Sequence, residues 1–196
     1  MEPAELRKAL EKFYWACMDG DPVEAYKAID YVFSVGGGLN DIKESVRCVA
    51  EELFKMYEEE LWKRGPKSAK VRCFPVIDAL LYAIKSVMPK VKSRDVWVVV
   101  ASTSPDYLRK DALKALLLLD GYEVIDAGVE VNPVKLVKLV RKVKPDFVVL
   151  FSPNPKEDTV AKDVVFMLKT FAREKAKIIC AGSKSDLNEI ISSLKP

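Results

Sequence analysis

The chain has 196 residues, 49% of them hydrophobic and 31% charged, and its 32 basic side chains stand against 29 acidic ones for a formal charge of +3. This is the composition of an ordinary folded protein long enough for one large core or two small ones, and it excludes a disordered chain. A charge so near balance gives no general affinity for nucleic acid or for a membrane surface. The absence of any histidine excludes Ser-His and Cys-His nucleophile pairs and every histidine-ligated metal.

The N-terminus, MEPAELRKALEK, is charged from the start and lacks the apolar core of a signal peptide. No apolar run approaches the roughly 20 residues needed to span a bilayer, so a cytoplasmic location is expected. Abundant Lys and Glu without histidine suit a thermophile. Cys17, Cys48, Cys73 and Cys180 show no CxxC pairing and are read as buried small hydrophobes.

From Pro3 to about Met88 the apolar residues recur at helical spacing. Leu6, Leu10, Phe13 and Cys17 form one stripe, closed by Asp19 and Gly20. Asp21 is placed to cap a second helix whose first position is Pro22 and whose inner face is Ala25, Ile29 and Val32 or Phe33. Gly36 to Gly38 stop it, which makes them a helix stop rather than a phosphate cradle. Asn40 is then expected to cap a third helix with Ile42, Val46, Val49, Leu53, Met56 and Leu61 inward, ending at Gly65. Pro75 lies too deep for a straight fourth helix starting at Pro66, so residues 66 to 74 are expected to be irregular or the helix to kink. Residues 1–90 thus read as an antiparallel four-helix bundle.

After Pro89 strands and helices alternate, and residues 94–196 read as a second domain. VWVVVAS at 96 to 102 is a continuous apolar run, as in a parallel strand buried on both faces. Then come a helix at about 107 to 120, YEVIDAG at 122 to 128, a helix at 133 to 143, DFVVLFS at 146 to 152, a helix at 157 to 174, AKIICAG at 176 to 182, and a short helix from Asp186. The expected fold class is α/β: the helical bundle followed by a Rossmann-like, flavodoxin-like parallel sheet of about four strands in the order 2-1-3-4. Ligands on such sheets bind at the strands' carboxyl ends. That rim runs through Ser102 to Tyr107, Ala127 to Pro133, Ser152 to Pro155 and Gly182 to Ser185.

DGDPVEAYKAID at 19 to 30, LWKRG at 61 to 65 and DGYEVIDAGVEVNPVKLV at 120 to 137, together with a helical cap ahead of an α/β half, make the chain resemble the cobalamin-binding modules of methionine synthase, of corrinoid methyltransfer proteins and of light-sensing regulators. The resemblance spans nearly the whole chain, a final strand and helix excepted. It implies a D-x-H-x-x-G loop after the first strand, whose histidine ligates cobalt. Aligned through Lys110, that loop falls on Ser104, Pro105, Asp106, Tyr107, Leu108 and Arg109, so Asp106 stands for the histidine and Arg109 for the glycine. Carboxylate is a poor replacement for imidazole on a soft cobalt. The family's S-x-L falls on Ser152, Pro153 and Asn154, and its paired glycines beside the nucleotide tail fall on Ala181 and Gly182. Ser152 and Gly182 are equally the small residues that end strands. The lid of the light-sensing members, a tryptophan followed after nine residues by Glu-His, falls on Trp62, Arg72 and Cys73. Trp62 reads either as that aromatic lid or as an anchor between the two halves.

The resemblance therefore implies Ser102, Asp106, Tyr107, Arg109, Ser152, Gly182 and Trp62 as cofactor-binding positions, with no catalytic residue and no metal ligand among them. Any cobalamin would be held without histidine. A receiver domain shares the sheet order, but its phosphoacceptor position falls on Phe151. Asp106, Asp126 and Glu130 with Arg109 could gather at the rim, or be solvated loop charges. The expected function is a non-catalytic cobalamin-module protein that binds the cofactor without a protein ligand or has lost it. A corrinoid carrier for methyl transfer is the first alternative, and a sensory or interaction module with another ligand in the cleft between the halves is the second. The partners expected are a methyltransferase or regulatory protein and a second copy of the chain.

Overall fold

The computed structural model describes residues 3–105, 107–172, 176–182 and 185–194. It divides into two compact units, Met1–Lys92 with Leu118–Asp120 and Ser93–Leu117 with Gly121–Pro196. Among the described residues no helix is long and apolar enough to cross a membrane.

The first unit holds α1 (Pro3–Met18), α2 (Pro22–Ser34), α3 (Leu39–Arg64) and α4 (Pro66–Val87), followed by one 3₁₀ turn at Met88–Lys90. α1 packs on α2 and α3, and both of these pack on α4. Ala9, Phe13 and Cys17 are the buried stripe of α1, whereas Leu6 and Leu10 are only half-buried. Asp21 caps α2 as its position requires, its Oδ1 accepting the Val23 and Glu24 N–H groups at 3.0 Å each. α3 departs from expectation at both ends. Its cap is Gly38, whose N–H donates to the Asp41 carboxylate at 2.8 Å, and Asn40 lies within the first turn. Farther along, Leu61 is exposed and its neighbour Glu60 is buried. Burial of that carboxylate is tolerated because Arg72, Ser68 and Arg64 all reach it.

α4 is a single assigned helix from Pro66 through Pro75, in place of the expected irregular stretch. The hydrogen bond that Pro75 cannot make would have gone to Val71, whose side chain is 77% exposed, so water can serve that carbonyl. Pro75 also fits closely against the α1–α2 turn. A Cβ built on Gly20 would lie 2.5 Å from the Pro75 Cβ.

The second unit runs β1 (Trp97–Ser102), α5 (Leu108–Leu119), β2 (Glu123–Asp126), α6 (Pro133–Val143), β3 (Phe147–Phe151), α7 (Thr159–Met167) continued by a π-helical stretch Leu168–Ala172, β4 (Lys177–Ala181) and α8 (Leu187–Ser193). The sheet is wholly parallel in the order β2-β1-β3-β4, as the alternation of elements implied. β1 and β3 are its two inner strands; β3 is buried throughout and β1 from its second residue onward. On one face Val99, Ala101, Val148 and Leu150 meet Leu136, Val137 and Val140 of α6 and Ala161, Val164 and Leu168 of α7 and its continuation. α7 starts at Thr159 rather than 157 because the Asp158 side chain caps it. Of the cysteines, Cys17 and Cys73 are buried, but Cys48 and Cys180 are exposed. Cys180 lies on β4, an outer strand of the four.

The Gly20 turn gives the first prediction. Gly20 has φ +69° and no room for a side chain, so Gly20→Ala combines a left-handed backbone penalty with a clash against Pro75. It is expected to cost about 2–4 kcal/mol, read as a shift in the urea midpoint. A loss below about 0.5 kcal/mol would show that the turn is not clamped.

Candidate functional site

Four ends of the α/β unit converge at the carboxyl edge of the sheet. Register pairs Ser102 with Phe151 and Phe151 with Ala181, so Ser102, Ser152 and Gly182 emerge side by side. α5 begins just beyond, bringing Tyr107 and Arg109. Strand order reverses between β1 and β3, the point where a parallel sheet opens a crevice for ligands. Of the residues expected from the sequence, the structure brings Ser102, Arg109, Ser152 and Gly182 around one cavity, and Tyr107 directly precedes α5. Asp106 lies outside the described residues. Trp62 belongs to the other unit, where its indole on α3 is 89% exposed.

The hydroxyls at this edge are already engaged. Ser102 is fully buried; its Oγ donates to the Ser104 carbonyl at 3.0 Å and accepts the Ser104 N–H at 3.2 Å. Ser152, also buried, donates to Asp158 Oδ2 at 2.6 Å, and Thr103 Oγ1 donates to the same oxygen at 2.5 Å. The other oxygen of Asp158 accepts the Val160 and Ala161 N–H groups at 2.9 and 3.2 Å. Burial pushes the Asp158 carboxyl up, but these four donors, led by Ser152 and Thr103, prevail and hold it below its ordinary value of 3.8. Asp158 and Thr103 were missed in the sequence. An Asp one residue before a helix is a legible cap, but nothing local signals its second oxygen reaching β1 and β3.

Arg109 Nη1 donates to the Ser185 carbonyl at 3.3 Å, and Gly182 N–H donates to Ser185 Oγ at 2.8 Å. What remains open between Ser102, Arg109, Ser152, Pro153 and Gly182 is a cavity of about 50 Å³, room for a few waters at roughly 10–15 Å³ of such space each. The side of Gly182 where a Cβ would project faces the Pro155 ring, with Pro155 Cδ 3.4 Å from that position.

Among the described acidic residues of the rim, Asp126 is held by lysines. Lys110, 3% exposed, places Nζ 2.7 Å from both oxygens of Asp126 and 2.6 Å from Asp111. Lys114 and the Gly128 N–H complete the set around Asp126. Burial raises Asp126, and the Lys110 hydrogen bonds together with the Gly128 amide outweigh it, leaving its pKa lowered. Among the described residues no three acidic or cysteine side chains are grouped as metal ligands. In the helical unit, Arg72 pairs with Glu60 and holds that carboxylate below the usual range. The adjacent Cys73 thiol is pushed up to about 11 by burial, so it is no nucleophile at neutral pH.

No protein-family model matches this sequence, and no curated protein matches it either. Solved structures do. Over 97% of this chain and 91% of the other, the monomethylamine corrinoid protein of Methanosarcina barkeri superposes with a TM-score of 0.61 at 13% identity. The methanol:cobalamin methyltransferase complex of the same organism matches over 98% of this chain and 77% of that one, with a TM-score of 0.52 at 17% identity. The chain has the corrinoid-protein fold. Its residues nevertheless do not fit a corrinoid held by histidine with a buried tail. There is no histidine, and the place that the resemblance assigns to the tail, between Ser152 and Gly182, is taken up by Pro155, Pro153 and the Asp158 network.

The Asp158 network carries a pH-dependent prediction. Because the folded-state pKa is depressed, its stabilisation is full above the unfolded value near 3.8 and is lost as pH falls through the folded value. Asp158→Asn, which keeps the shape but not the charge, is expected to cost about 1–2 kcal/mol at neutral pH. The gap to the parent should shrink in denaturation curves taken progressively below pH 3.8. A gap independent of pH would contradict the assignment.

Proposed function

We propose that this protein is a non-catalytic module built on the corrinoid-protein scaffold that does not take up cobalamin by inserting its nucleotide tail into the sheet. The single observation that carries the reading is the filled switch point: Ser152 is committed to Asp158, Pro155 lies against Gly182, and about 50 Å³ remains. Support also comes from Asp106 and Arg109 at the histidine and glycine positions. Its role is then exerted through binding.

The likeness to corrinoid proteins of methyl transfer favours a second reading, a corrinoid carrier working with a methyltransferase. The two make opposite predictions in one experiment. The full chain is mixed with hydroxo-, methyl- and adenosylcobalamin and passed through gel filtration. Colourless protein is expected with all three. Stoichiometric red protein whose absorption spectrum shows the cofactor's own base off cobalt would overturn the proposal in favour of the carrier, whereas red protein with that base on cobalt would mean a cofactor held without tail insertion.

A further inference from the structure

α6 carries charge of one sign only. Its sequence PVKLVKLVRKV holds Lys135, Lys138, Arg141 and Lys142 and no carboxylate, and Lys144 follows at its C-cap. Leu136, Val137 and Val140 are buried against the sheet, so the four cations of the helix face outward and are exposed. In the helical unit such charges are paired three or four positions away, as Lys8 is with Glu5, Lys27 with Glu24 and Lys63 with Glu59. On α6, Lys138 has Lys135, Arg141 and Lys142 at those spacings, and like charges so placed destabilise a helix. Arg141 and Lys142 suit the negative end of the helix, but Lys135 stands in the first turn, at the positive end. Among the described residues no ion pair from another element reaches any of the four.

A groove of about 300 Å³ opens along one flank of this stripe. Its apolar wall includes Ala127, Val129, Val131 and Leu139, and its polar residues are Glu130, Asn132 and Lys135. The Asn132 side chain is committed to capping α6, its Oδ1 accepting the Val134 and Lys135 N–H groups at 3.0 and 3.2 Å. Lys135 belongs to both features, since it begins the cationic stripe and borders the groove. Room for a large apolar side chain thus lies directly beside a row of unpaired cations. All of these residues fall within one compact unit.

From this juxtaposition we infer that the outer face of α6 docks an acidic surface of a partner protein, whose carboxylates meet Lys135, Lys138, Arg141 and Lys142 and whose apolar anchor enters the groove. The repulsion that the free helix bears is relieved when the partner supplies the missing charge, and the same complementarity steers the encounter. Nucleic acid fits less well, because neither α6 nor the groove offers an aromatic ring for a base and Glu130 repels phosphate. A membrane fits less well, because the apolar face of the helix is spent on the sheet and Val134, 49% exposed, is all that α6 could bury in lipid. A second copy is disfavoured, since α6 against α6 would gather like charges from both chains. The inference stands whether or not the chain binds a corrinoid.

The test is selection of a displayed peptide library on the full chain and, in parallel, on Lys138→Glu. A carboxylate at that exposed position pairs with Lys135, Arg141 and Lys142, so this variant is expected to unfold at a higher urea concentration than the parent while binding less well. Enriched peptides are expected to combine several Asp or Glu with a large apolar residue, to weaken with added salt, and to shift the backbone resonances of residues 127–142. They should lose at least about ten-fold in affinity on Lys138→Glu, and as much when their apolar residue is replaced by Ser. Enrichment of basic peptides, equal affinity for the variant, resonance shifts confined to other elements, no enrichment, or a lower urea midpoint for Lys138→Glu overturns the inference. So does binding of duplex DNA, or of phosphatidylserine–phosphatidylcholine vesicles, that Lys138→Glu abolishes, because the occupant is then not a protein.

Discussion

The carboxylate of Asp158 joins three elements that the chain brings together from far apart. One oxygen caps α7 and the other accepts from Thr103, just past β1, and from Ser152, just past β3. A ligand cradle at a switch point requires the two central strand ends to stay apart and the following helix to leave its N-terminal N–H groups free. Here one side chain does the reverse on both counts. Charge-assisted hydrogen bonds are roughly twice as strong as neutral ones, so the crevice is closed by a polar network rather than by apolar filling. Of the two engaged serines, Ser152 depends on it, while Ser102 is held by Ser104.

That network also explains why the scaffold and the site diverge. The scaffold requirements are loose: apolar strands at β1 and β3, amphipathic helices around them and turn residues such as Asp120-Gly121 between them. The site requirements are strict, and each corresponding position here carries a residue with a partner of its own: Ser152 has Asp158, Gly182 has Ser185, Arg109 has the Ser185 carbonyl, and Arg72 has Glu60. A buried polar group left without a partner costs 1–3 kcal/mol. Ser152 and Gly182 keep the residue types that the resemblance implies but are engaged locally, while at Arg109 and Arg72, where the types differ, the change is coupled to the partner.

How much was legible in the sequence follows the range of the forces involved. The runs VWVVVAS and DFVVLFS declare inner strands because burial on both faces leaves no polar position, and Asp21-Pro22 declares a helix start because cap and first turn are local. Errors arise where a distant residue decides. Leu61 is apolar yet exposed because Glu60 finds Arg72 and Ser68 across the helix pair. Pro75 sits inside a helix because Gly20, fifty-five positions earlier, makes space for it. Asn40 loses the cap to Gly38 because Asp41 reaches back to that N–H. Thr103, Ser152 and Asp158 are joined by side-chain geometry that the expected strand order alone does not give.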